Sequence, residues 1–69
     1  MSIKEIISIY GILSIDISNY ENNNTILILT KDLYYITLDR KSGKLIDKER
    51  DLTFDDYLMI TQLLTAING

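Results

Sequence analysis

Apolar and polar positions change period twice along this chain, and the changes mark its elements. Near the start Ile3, Ile6, Ile7 and Tyr10 recur at helical spacing. Ser2 and Glu5 precede them in the S-x-x-E order of a capping box, and Gly11 stands where a left-handed residue would end a helix. This predicts a short amphipathic helix over residues 3–10. From residue 13 the period drops to two. LSIDIS (13–18) alternates without a break and predicts a half-buried strand with Leu13, Ile15 and Ile17 inward. The stretch 19–24 is polar and reads as a connection. TILILT (25–30) is continuously apolar, which predicts a central strand with both faces covered. Lys31 and Asp32 form a turn, and LYYITLD (33–39) predicts a third strand with Tyr34, Ile36 and Leu38 on one face. The clearest turn is 39–44, where Asp39 opens and Gly43 supplies a positive φ, with a bulge expected. Residues 44–49 return as an edge strand whose lysines discourage edge-to-edge pairing.

The period then becomes helical again. Thr53 is a capping residue, Asp55 and Asp56 occupy the first turn where the helix dipole favours acid, and Leu52 with Tyr57 forms a hydrophobic staple. A helix over 54–67 follows. The predicted order α-β-β-β-β-α is an α+β fold: one small domain over residues 1–69, a four-stranded antiparallel meander with a short N-terminal helix and a longer C-terminal helix.

The last helix has too much to bury. Residues 57–69 hold no charged side chain in a chain that is 25% charged. At about 100° per residue, Tyr57, Ile60, Leu63, Leu64 and Ile67 share one arc, the expected sheet-facing side. Phe54, Leu58, Thr61, Gln62 and Thr65 fall on the other, which is uncharged as well. Two explanations stand. Either the first helix or the Asn-rich connection covers Phe54 and Leu58, or they form a homodimer seam or a docking face for another protein. A membrane-surface helix would carry Lys and Arg on its polar face, and this one does not.

Composition narrows the chemistry. With 69 residues the chain is near the lower limit for independent folding, where oligomerisation often helps. It has neither Cys nor His, so disulfides, thiolate or imidazole metal ligands and the commonest general base are missing. The three Gly fall at turns or the end, so no phosphate-binding loop is present. Asp55 and Asp56 are a candidate carboxylate pair, but helix neighbours point about 100° apart. Asp16 beside Glu21 or Asp39 is no better specified. The expectation is a non-enzyme with no catalytic residue, metal or cofactor, acting in the cytoplasm, since no apolar run approaches the ~20 residues of a membrane span.

Net charge is −3, which disfavours general nucleic-acid affinity. The segment 40–50 is nevertheless basic: Arg40, Lys41, Lys44, Lys48 and Arg50 against Asp47 and Glu49. With the Tyr34 or Tyr35 ring to stack a base, these residues form a second candidate surface, for phosphates or an acidic protein. A solvated hairpin with edge-protecting lysines is the favoured account of them.

The stretch YYITLDRKSGKLIDKE, residues 34–49, resembles the strand–turn–strand element of PepSY-type domains, small α+β modules that this likeness implies act as inhibitors or regulators of peptidases. In size and acidic character the chain is also similar to phage and mobile-element inhibitors of host systems, anti-CRISPR proteins among them, which occupy a target surface and often do so as dimers. The expected function is therefore a protein-interaction module of that inhibitor kind, self-associating through its last helix. The alternative is a small nucleic-acid-binding or transcription-regulating module that uses the hairpin 39–50.

Overall fold

The computed structural model describes residues 1–18 and 24–69. Residues 19–23 of the Asn-rich connection, Glu21 among them, therefore lie outside the described residues. The elements run α1 (Ile3–Tyr10), β1 (Ser14–Ile17), β2 (Thr25–Leu29), β3 (Tyr35–Asp39), β4 (Leu45–Lys48) and α2 (Phe54–Asn68). The four strands form one antiparallel sheet in chain order.

Local chemistry accounts for the element ends. Ser2 and Glu5 make the reciprocal capping box of α1, and Gly11 ends the helix at φ 67°. The N–H groups of Gly11 and Ile12 both donate to the Ile7 carbonyl, so the last turn leaves little unsatisfied. In the β3–β4 turn Asp39 accepts from the Ser42 N–H and hydroxyl, both at 2.7 Å, and these bonds hold its carboxyl below the usual range. Gly43 completes the turn at φ 74°. A Cβ there would stand 2.9 Å from the Leu64 side chain, so the turn needs Gly for its conformation and for its approach to α2. The bulge is Ile46: Leu38 pairs with Leu45 and Thr37 with Asp47, which leaves Ile46 as the extra residue.

Both helices lie on one side of the sheet. Ile6 of α1 and Met59, Ile60 and Leu63 of α2 share a buried cluster with Ile26, Ile28, Tyr34, Ile36 and Leu38. Strand alternation puts the last five, with Ile15 and Ile17, on the helix side. Fully burying each such side chain contributes roughly 1.5–3 kcal/mol.

Four expectations are corrected. Leu27 and Leu29 are only half-buried and take no part in the core cluster, because neither helix covers their side of β2. Leu13 is exposed rather than inward: it lies just before β1, beyond the strand pairs beneath the helices. The third strand starts at Tyr35, not residue 33, because Leu33 takes φ 65° and belongs to the turn that Thr30 and Tyr34 close. Tyr57 is 54% exposed instead of facing the sheet, and Leu52, its expected staple partner, packs against the core.

Candidate functional site

The outer face of α2 is set by how the helix begins. Thr53 and Asp56 form a capping box: the Asp56 N–H donates to the Thr53 hydroxyl, and the Thr53 N–H donates to Asp56 Oδ2 at 2.9 Å. The other oxygen, Oδ1, accepts from the Tyr34 hydroxyl at 2.5 Å. Asp56 is thus only 8% exposed, a carboxylate turned into the fold at the edge of the core. Burial pushes its pKa up, but the hydrogen bonds from Tyr34 and Thr53 outweigh burial and hold it below the usual carboxylate range. Burial and the bond to Asp56 push the Tyr34 phenol up.

This buried bond fixes the rotation of α2. The inward residues are Asp56, Met59, Ile60 and Leu63, an arc centred about 50° away from the purely apolar one at 100° per residue. Periodicity of apolar residues does not count a carboxylate as core, which is why it places Tyr57 on the sheet-facing side. The rotation leaves Phe54 76% exposed and Leu58 39% exposed, with Thr61 and Thr65 also outward. The first helix packs against α2 but does not cover Phe54. Gln62 sits half-buried at the flank, and its Oε1 is enclosed with no hydrogen-bond partner among the described residues.

The two threonines make the face drier than their names suggest. The Thr61 hydroxyl donates to the Tyr57 carbonyl and the Thr65 hydroxyl to the Thr61 carbonyl, each at 2.9 Å. Their protons are spent within the helix. The result is an apolar, uncharged strip of Phe54, Tyr57, Leu58, Thr61 and Thr65 on the surface of an otherwise charged domain.

No family model, curated protein or solved structure matches the chain.

The likeness of the 34–49 hairpin to PepSY-type domains thus remains a likeness of one hairpin, and the surfaces must speak for themselves. In that hairpin the cations are dispersed. Lys48 pairs with Asp51 at 3.1 Å, and Arg50 reaches Asp32 at 3.7 Å while its guanidinium lies 4.0 Å from the Tyr34 ring centroid. The Arg50–Tyr34 stack occupies the ring that was a candidate for a base. Strand alternation puts Lys48 on the helix side of β4, whereas Tyr35 and Lys44 belong to the opposite side of the sheet. Arg40 is half-buried, with its N–H donating to the Asn24 carbonyl and its own carbonyl accepting from Asn68. Lys41 is exposed at the turn. The fold does not gather these six side chains onto one surface.

A cleft of about 410 Å³ opens between the end of α1, the β2–β3 turn and the start of α2, with Asp32, Tyr34, Arg50, Asp55 and Asp56 in its wall. Tyr34, Arg50, Asp32 and Asp56 engage one another there as already described, whereas the buried Thr30 hydroxyl in the same wall has no hydrogen-bond partner among the described residues. Asp55 is exposed and Asp56 is buried, so the two carboxylates part company. Asp16 and Asp39 lie on the same side of the sheet, two strands apart with β2 between them. Among the described residues, no group of three or more acidic, His or Cys side chains could hold a metal ion, and no helix is long and apolar enough to cross a membrane.

Proposed function

We propose that this protein is a small non-enzymatic interaction module that pairs with a second copy of itself through the outer face of α2. The observation that supports it is the exposed strip of Phe54, Tyr57, Leu58, Thr61 and Thr65, large and apolar at one end, small and internally hydrogen-bonded at the other. Because it carries no charge, two copies meet without repulsion and without desolvating an ion. A helix of 15 residues is about 22 Å long and about 10 Å wide, so the paired area falls near the lower bound of specific interfaces. The dimer is accordingly weak, with dissociation expected in roughly the micromolar range.

Such a pair would place two copies of every other surface side by side, which suits a protein that works by occupying a target. Its size and acidity favour the manner of a phage or mobile-element inhibitor acting in the cytoplasm. Sedimentation velocity from low micromolar to near-millimolar concentration tests the pairing. Wild type is expected to shift from monomer to dimer. Leu58→Glu, at a surface position, is expected to remain monomeric with its unfolding transition little changed. A wild type that stays monomeric throughout sinks the proposal, and a Leu58→Glu chain that unfolds shows that Leu58 belongs to the core.

A further inference from the structure

The other uncovered surface is the side of the sheet away from the helices. Strand alternation assigns Leu27 and Leu29 of β2 and Tyr35 of β3 to its centre. The same alternation puts Asp16 of β1 on one flank and Asp47 on the other, opposite Leu27 and Thr37 respectively. Glu49 follows beside Tyr35: its N–H donates to the Tyr35 carbonyl, and its carboxylate accepts from the Tyr35 N–H at 2.8 Å. At the turn end Asp39 faces Lys44, the only basic residue among the described ones that the register brings to this side. The two ion pairs among the described residues use Asp32 and Asp51, so the flanking acids have no cation from within the described chain.

We infer that this face docks a basic amphipathic helix of a partner protein. The centre supplies apolar surface and the flanks supply uncompensated negative charge, the complement of a helix with an apolar stripe between Lys or Arg rows. The dimensions agree. Three strand spacings separate Asp16 on β1 from Asp47 on β4, about 14 Å, and a helix with its side chains is about 10–12 Å across. It would lie along β2 and β3 with its basic rows over the two acidic flanks. A second copy of this chain is a poor occupant, since like flanks would face each other. Nucleic acid and anionic lipid are repelled for the same reason. This inference rests on a different surface from the α2 pairing and stands whether or not that pairing occurs.

The probe is a helical peptide of about 18 residues with Leu at i, i+3, i+4 and i+7 positions and Lys elsewhere, compared with its twin carrying Glu for Lys. Amide shift changes in isotopically labelled protein report the site. The Lys peptide is expected to shift residues of β1, β2 and β3, to leave the middle of α2 unmoved, and to weaken with salt. The Glu twin is expected not to bind. The double variant Asp16→Lys with Asp47→Lys changes two exposed positions and is expected to bind roughly tenfold or more weakly. Leu58→Glu is expected to bind the Lys peptide as wild type does, which separates this test from the test of pairing. Shifts that map to α2, equal binding of the Glu twin, or full affinity in the double variant would each overturn the proposal.

Discussion

The two uncovered surfaces lie on opposite sides of one core, and they differ in charge rather than in apolar content. The outer strip of α2, Phe54 to Thr65, is uncharged, whereas the outer face of the sheet is apolar at its centre with Asp16 on one flank and Asp47 and Glu49 on the other. Apolar exposure gives each an incentive to find a partner. Under the two proposals charge selects the partner: the neutral face is offered to a copy of itself, and the acidic one to a basic visitor. One small fold can therefore keep two apolar surfaces without a single indiscriminate sticky surface, because the surfaces are not complementary to the same thing.

The widest way to break the comparison is to weaken what lies between the surfaces. Leu63 is fully buried beneath α2 in the cluster that includes Ile28 and Ile36. Leu63→Ala is expected to cost about 2–5 kcal/mol. Total stability at this size is on the order of 3–10 kcal/mol, so the loss consumes a large share of it. Denaturant unfolding should show a much lower midpoint, with both self-association and peptide binding reduced together. A variant that lost one and kept the other would show that the two surfaces are not supported by a common core.

A more selective break is Tyr34→Phe, which removes the bond that sets the rotation of α2 while keeping the ring under Arg50. A hydrogen bond to a charged group contributes about 1.5–3 kcal/mol, and that loss is expected here. The pH profile identifies the cause. The folded Asp56 carboxyl lies below its ordinary value, so its contribution is present above pH ~4 and declines as pH falls through the folded value. The Tyr34 phenol lies above its ordinary value, so its contribution is present below pH ~10 and declines as pH rises beyond it. In Tyr34→Phe the alkaline decline attributable to this phenol should vanish and the acid decline should shrink. An unchanged profile would mean that the bond does not hold the helix. Because α2 presents one surface and the sheet the other, this variant should disturb pairing more than peptide binding.

The same bond explains where sequence reading stops. Helix caps, turn glycines and the two changes of period are local signals, and α1, the 39–44 turn and the start of α2 were legible from a handful of residues each. Strand order was the simplest meander those elements allow. The orientation of α2 was not legible, because the deciding residue is an acid that periodicity files as surface. Nothing local in Asp56 announces that Tyr34, twenty-two residues earlier, will bury it. Continuous apolarity in β2 likewise suggested two covered faces, since sequence records how apolar a strand is and not how many helices remain to cover it. Of the candidate surfaces, the strip from Phe54 to Thr65 was readable as an excess on α2. The acidic flanks of the sheet were not, because Asp16, Asp47 and Glu49 become neighbours of Leu27 and Tyr35 only through register.

The smallest expected effect is the one that isolates the sheet side. Leu33 is 72% exposed and stands at φ 65°, so it combines an apolar side chain in water with a backbone region that side chains disfavour. The left-handed conformation costs about 1–2 kcal/mol for a residue with a Cβ. Leu33→Gly removes that cost but adds freedom to the unfolded chain worth roughly 0.5–1 kcal/mol. The net expectation is stabilisation by about 0.5 kcal/mol, read as a small rise in denaturation midpoint, with α2 pairing unchanged. Leu33→Ala separates the two causes, since it removes most of the exposed apolar surface but keeps the strained φ. If conformation is the source, Leu33→Gly is the more stable of the two. If both variants gain equally, the penalty came from the exposed side chain, and the turn itself carries no strain.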